Sequence, residues 1–143
     1  MRTESIITSA MTFIRIGNWK QALSVRHGYE FNYGLKAMQV QAHTGSLGAE
    51  HSFVSVAQDN VVLTAVKKTE SGDGLIFRFY EWAGIGGSVT LTVPPGATGA
   101  TLVNLMEKAE SEPIAVSGNK LTIPVTPFEI QTVRVNYKQI PSM

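Results

Sequence analysis

Strict alternation of apolar and polar side chains is the feature that most restricts the fold of this chain. In residues 88–93, valine and leucine occupy the odd positions and serine or threonine the even ones, and residues 120–125 repeat the same phase. Successive side chains of a strand point to opposite faces, so both segments are predicted to be strands with one buried face. Pro124 has no N–H to donate, which predicts that the second strand lies at the edge of a sheet.

Two apolar runs, residues 61–66 and 75–80, lie on either side of a polar segment that contains Gly72 and Gly74. Glycine tolerates the positive φ that tight connections require, so residues 60–82 are predicted to form a β-hairpin. Residues 61–66 are apolar at both odd and even positions. Such a segment suits a strand covered on both faces, and we therefore expect it to be central in its sheet.

The remaining segments complete an all-β pattern. In residues 128–137 the apolar side chains change from even to odd positions, which predicts a β-bulge near Gln131. Residues 35–41 and 100–105 are further candidate strands, and residues 84–87 are expected to connect a hairpin. We count seven or eight strands without alternating helices, and this predicts an antiparallel β-sandwich. Residues 31–143 are assigned to the sandwich, and the less regular residues 1–30 to a lead-in segment.

Charge and composition exclude several classes of partner. The chain carries 12 Lys and Arg against 11 Asp and Glu, a net charge of +1, so we expect no nucleic-acid partner. The most apolar early stretch, residues 6–16, contains threonine, serine and arginine and is shorter than the roughly 20 apolar residues of a membrane span. We expect no membrane partner. The sequence has no cysteine, which excludes disulfides and thiolate metal sites.

Histidine spacing gives no reason to predict a metal site. His27, His43 and His51 lack a second His, Asp or Cys at the intervals typical of metal ligands on one helix or strand. Polar loop residues are the simpler interpretation, and we predict no metal ligand in this chain.

Two carboxylates have aromatic neighbours, as the acids of glycosidases often do: Glu81 precedes Trp82, and Glu129 follows Phe128. Glutamates at strand ends are usually solvated or paired with an arginine such as Arg78 or Arg134. We therefore assign no catalytic residue.

Aromatic side chains offer a second route to carbohydrate recognition. The candidates for contact with a sugar are Trp82, Tyr80 and Trp19, although packing in the core is the default role of aromatic residues.

Four motifs occur in a specific order: VVLTAVKK in residues 61–68, GDGLIFRFYE in 72–81, NLMEK in 104–108 and PFEIQTVRV in 127–135. Together with RHGYEFNYGL in residues 26–35, they resemble the C-terminal β-domain of α-mannosidases of glycoside hydrolase family 38. The resemblance covers roughly residues 20–137.

The resemblance implies a part of a zinc-dependent, retaining, exo-acting α-mannosidase. In that family the aspartate nucleophile and the zinc ligands, which include a His-x-Asp motif, lie in an N-terminal catalytic domain. No His-x-Asp occurs in this sequence, so no catalytic or zinc-binding residue is transferred, and zinc is expected only in the catalytic domain. This sequence contains no such catalytic domain.

Two functions are compatible with this resemblance. In the first, the chain is a non-catalytic accessory domain that packs against and supports the remainder of the mannosidase chain, with the lead-in segment packed on the sandwich or on that chain. In the second, it is an independent module that binds mannosides weakly. The first is favoured because no cluster of aromatic side chains with exposed polar partners is visible along one strand face, as a sugar-binding platform would require. We also expect exposed apolar area on residues 1–30 or 43–51, through which the isolated chain would self-associate.

Overall fold

The computed structural model describes residues 17–42 and 44–139. The described residues fall into two units that divide between Val40 and Gln41. One helix and seven strands are present in the described residues: α1 (Ser24–Asn32), β1 (Ser55–Val56), β2 (Val61–Lys68), β3 (Gly74–Glu81), β4 (Gly87–Thr92), β5 (Ala97–Leu102), β6 (Lys120–Val125) and β7 (Ile130–Tyr137).

The first unit contains helix α1, which the sequence analysis did not predict. The helix follows Leu23, whose φ of 48° is left-handed, and none of its residues is buried. It ends where the Tyr33 amide donates to the Tyr29 carbonyl at 2.8 Å. The strand predicted over residues 35–41 is wrong, because these residues have no regular secondary structure. The boundary predicted between residues 30 and 31 stays a prediction.

The second unit contains two antiparallel sheets, and the predicted β-sandwich is confirmed. One sheet has the strand order β1-β4-β6, and the other has the order β2-β3-β7-β5. Their facing side chains form a single core to which six of the seven strands contribute fully buried or nearly buried residues. Phe77 and Phe79 of β3 are completely buried, as are Leu91 of β4 and Leu121 of β6. Burying each of these side chains stabilises the fold by about 1.5–3 kcal/mol.

Several predictions about individual strands are confirmed. Strands β4 and β6 pair with each other, and each buries its odd-numbered residues. Strand β6, which contains Pro124, lies at a sheet edge. Strands β2 and β3 form the predicted antiparallel pair. Residues 84–87 do not connect a hairpin, however, because β3 and β4 belong to different sheets.

Strand β2 is an edge strand, so its predicted central position is wrong. Its register with β3 shifts between Leu63 and Ala65. Before the shift Val61 is buried and Leu63 packs against the core, whereas after it Val66 is 39% exposed. The ladder between β3 and β7 is regular from Ile130 to Asn136, so the bulge predicted near Gln131 is also wrong. Ile130 instead lies on the surface with 68% of its area exposed.

The segment after β5 folds back along that strand. Bridges join Val103 to Ala109 and Ala100 to Ile114, so the returning chain borders the edge of β5. The turn of this segment, residues 104–108, contains no helix. No helix in the described part of the chain combines the length and apolarity needed to cross a membrane.

Candidate functional site

The three aromatic residues predicted to contact a sugar occupy different environments. Trp82 is buried, with 6% of its area exposed, and its indole N–H donates to the Asp59 carbonyl at 3.1 Å. Tyr80 is half-buried on β3. Trp19 belongs to the other unit and is 52% exposed, with the Lys20 ammonium 5.5 Å from the centre of its ring. Sugar contact by these residues stays a prediction, and the burial of Trp82 leaves little of its ring for stacking.

The best-defined polar cluster surrounds the carboxylate of Glu81, at the end of β3. This residue is 1% exposed. One carboxylate oxygen accepts hydrogen bonds from the Asn60 side chain at 2.9 Å and the Ala83 amide at 2.7 Å. The other accepts from the amides of Gly84 at 2.7 Å and Phe128 at 2.9 Å.

These four N–H donors determine the protonation state of Glu81. Burial alone would raise its pKa, because the charged form loses its hydration. The hydrogen bonds to the carboxylate outweigh burial and lower the pKa from 4.5 to about 2. Glu81 is therefore ionised at neutral pH and holds no proton to donate. Its surroundings indicate a structural anion and not a general acid.

The Glu81 carboxylate joins three segments of chain. Asn60 precedes β2, Gly84 lies in the connection between the two sheets, and Phe128 precedes β7. Both Gly84 and Phe128 have left-handed backbones, with φ values of 73° and 61°. A Cβ on Gly84 would lie 2.5 Å from the Phe128 ring, so this position requires glycine for its conformation and for the close approach of the ring.

Glu129 is also engaged by its own chain. One of its carboxylate oxygens accepts from the Thr126 amide at 2.6 Å and the Thr126 hydroxyl at 2.9 Å, and the other from the Gln131 side chain at 2.7 Å. The expectation that these acids are solvated or paired with a strand arginine is wrong for Glu81, which is buried and bound by N–H groups, and the contacts of Glu129 are with Thr126 and Gln131. Arg134 binds Asp73 at 2.7 Å instead, and Arg78 donates to the Thr132 hydroxyl at 3.1 Å.

Residues 104–108 place a further carboxylate over the four-stranded sheet. Glu107 binds the Lys67 ammonium of β2 at 2.7 Å and accepts from the Glu70 amide at 2.8 Å. Strands β2 and β5 are at opposite edges of this sheet, so the turn that follows β5 must reach across the outer face. The Lys67 ammonium and the Glu70 amide lower the pKa of Glu107, and its own φ of 60° is left-handed.

A groove of about 490 Å³ lies between this turn and the start of β7. Leu105 and Ile130 line it, and they are 71% and 68% exposed. Its charged lining residues among those described are Glu110 and Glu129. The groove was not predicted, because its two sides, 102–110 and 129–132, come from separate parts of the sequence.

The described residues contain no group of three or more His, Asp or Glu side chains that could hold a metal ion. His27 contacts the carboxylate of Glu30 at 2.8 Å, and His51 packs edge-on against Phe53 with ring centres 4.5 Å apart. His43, the third histidine considered in the sequence analysis, lies outside the described residues.

Comparison with known protein families gives one match. Residues 60–133, slightly more than half of the chain, match the family described as the glycosyl hydrolases family 38 C-terminal beta sandwich domain. The matched stretch begins at the Asn60 ligand of Glu81 and extends through β2–β6 into β7. No curated protein sequence matches the chain.

Proposed function

Because the chain belongs to the family of glycosyl hydrolase family 38 C-terminal β-sandwich domains, we propose that it is a non-catalytic accessory domain of an α-mannosidase. In this proposal it packs against the remainder of the mannosidase chain and supports its catalytic domain. The family match over residues 60–133 is the observation that carries the proposal.

The chemistry of the carboxylates supports a structural role. A glycosidase needs one carboxyl group to give a proton and a second to act as nucleophile or base. Glu81 is buried and ionised at neutral pH, and both of its oxygens already accept two hydrogen bonds each. Both oxygens of Glu129 accept hydrogen bonds from residues within three positions of it. These two acids hold the domain together, and the zinc ion and the nucleophile belong to the catalytic domain.

A direct assay tests the non-catalytic part of the proposal. The purified chain is incubated with a chromogenic α-mannoside and added zinc. We expect no release of chromophore above that of buffer with zinc alone. Turnover that follows the concentration of the chain, and that survives a second purification step, would refute the proposal.

A complementation experiment tests the supporting role. A family 38 α-mannosidase whose own C-terminal sandwich has been deleted is mixed with the chain, and its half-life of activity at elevated temperature is measured. We expect the chain to lengthen this half-life, since a partner that binds the folded state stabilises it. An unrelated β-sandwich of equal size is the control. Equal half-lives with the two additions would contradict a supporting role.

The alternative of an independent mannoside-binding module has one observation in its favour, the half-exposed ring of Trp19. Calorimetric titration with mannose and mannobiose separates it from the accessory role. Heat at millimolar ligand that disappears in Trp19→Ala would favour the binding module, and the absence of heat would leave it without support.

A further inference from the structure

Leu105 and Ile130 are two large, exposed apolar residues that line the same groove. Ile130 occupies a position on β7 whose neighbours on the same face are Thr132 and Arg134. Single exposed apolar residues are common on soluble proteins. Two large ones that line the same groove of about 490 Å³, with polar residues at its rim, are instead typical of a site that binds another surface.

Polar contacts hold both sides of the groove in unusual conformations. On one side Glu107 has a φ of 60° and binds Lys67, while the Asn104 side chain accepts from the amides of Met106 and Lys108 at 2.9 and 3.1 Å. On the other side Phe128 has a φ of 61°, and its amide donates to Glu81. These contacts fix the backbone on either side of Leu105 and before Ile130, which lowers the entropy cost of binding at the groove.

The charge of the groove indicates what binds there. Glu110 and Glu129 are its charged lining residues in the described part of the chain, and both are acidic. Arg78 donates to Thr132, a residue of the lining, but does not itself line the groove. A complementary surface would therefore combine an apolar side chain with a lysine or arginine.

We infer that the groove between Leu105 and Ile130 receives an apolar, basic segment of the catalytic domain of a family 38 α-mannosidase. This inference rests on the proposed function, because the accessory role supplies the partner. The inference adds to the accessory role a specific docking surface, the groove, and a partner segment with apolar and basic side chains. The described lining residues belong to 102–110 and 129–132, and the exposed apolar area predicted in 1–30 or 43–51 is a separate prediction.

Calorimetric binding to the catalytic domain of a family 38 α-mannosidase lacking its own sandwich tests the inference. The test variant combines Leu105→Ser with Ile130→Thr, which removes the apolar pair but retains residues suited to a turn and a strand. We expect its affinity to fall by about tenfold or more, the usual effect of truncating central interface residues. The control is Val66→Thr, at a 39% exposed position on β2, which should leave the affinity within about twofold.

A charge reversal tests the chemistry of the partner separately. Glu110→Lys should weaken binding and flatten the dependence of affinity on salt, because it replaces an attraction with a repulsion. An unchanged affinity and salt dependence would contradict the basic character of the segment. Thermal unfolding of every variant establishes that the chain remains folded.

The possible results distinguish this inference from the proposed function. If the unmodified chain does not bind, the supporting role fails and the groove assignment fails with it. If the unmodified chain and the double variant bind equally well, the accessory role stands and the groove is not the docking surface. If the chain forms a dimer in ultracentrifugation that the double variant abolishes, the groove binds a second copy, and the assignment to the catalytic domain is overturned.

Discussion

Replacing Glu81 by glutamine removes the charge from the buried cluster and preserves the size of the side chain. A carboxyl whose pKa falls from 4.5 to about 2 on folding stabilises the native state at neutral pH by about 3 kcal/mol, since one pH unit corresponds to about 1.4 kcal/mol. The glutamine NH₂ would also face a backbone N–H donor. We therefore expect Glu81→Gln to lower the free energy of unfolding by about 3 kcal/mol at pH 7.

The sign of the pH dependence follows from the lowered pKa. The stabilisation is fully present above pH 4.5 and is lost as the pH falls towards 2, where the native carboxylate takes up its proton. Urea unfolding of the unmodified chain and of Glu81→Gln at several pH values measures the difference between their free energies of unfolding. This difference should be constant from pH 7 to about 5.5 and fall to less than half by about pH 3.

An exposed glutamate provides the matched control. Glu112→Gln, at an exposed position after β5, should change the unfolding free energy by less than about 0.5 kcal/mol at every pH. A loss below about 1 kcal/mol in Glu81→Gln at pH 7, or a difference that does not shrink in acid, would refute the assignment of Glu81 as a structural anion.

Three further perturbations test the packing of the sandwich. Gly84→Ala should lower the free energy of unfolding in urea by about 1–3 kcal/mol. The loss should exceed that of Gly72→Ala, because the two glycines have similar positive φ values but only a Cβ at Gly84 would meet the Phe128 ring. Equal losses would contradict this close approach. Phe77→Ala should destabilise by about 3–5 kcal/mol, measured in the same way, and a loss below about 1 kcal/mol would contradict its complete burial. Burial raises the pKa of Tyr137 to about 12, so the free energy of unfolding should fall as the pH rises from 10 to 12. This fall should be smaller in Tyr137→Phe. Equal falls in the two proteins would contradict the raised pKa.

The sequence predicted those parts of the fold that depend on neighbours along the chain. The hairpin of β2 and β3 follows from its turn residues, and the edge position of β6 follows from Pro124, which lacks an N–H. The position of β2 could not be predicted in this way. Apolar residues of both parities suit a strand covered on both faces, but an edge strand can also carry an exposed apolar residue, as β2 does at Val66. Only the order of the strands in the sheet distinguishes the two cases.

Helix α1 was missed for a different reason. None of its residues is buried, and the residue before it, Leu23, makes no side-chain cap. It therefore buries no apolar face, and it has leucine at the N-cap position, where Ser, Thr, Asp or Asn usually marks a helix start.

The Glu81 cluster shows how far a site can be predicted from sequence alone. An acid at the end of the apolar run of β3, two and three residues before Ala83 and Gly84, is unusual enough to attract attention. Its other ligands are Asn60, 21 residues earlier, and Phe128, 47 residues later. Whether these residues come close in space depends on how strands from separate parts of the chain are arranged, and no short motif contains that information. The sequence could identify the carboxylate but not its role.

Two residues beside the groove, Glu107 and Phe128, have strained backbones that are held by carboxylate contacts. A left-handed backbone at a residue other than glycine costs about 1–3 kcal/mol, and Glu107 and Phe128 each adopt one. A carboxylate holds each of them in place. The carboxylate of Glu107 binds the Lys67 ammonium, and the carboxylate of Glu81 accepts a hydrogen bond from the Phe128 amide. Phe128 is 64% exposed and precedes Ile130 by two residues. Relaxing either residue would break these contacts, so the turns beside the groove are fixed before any partner arrives.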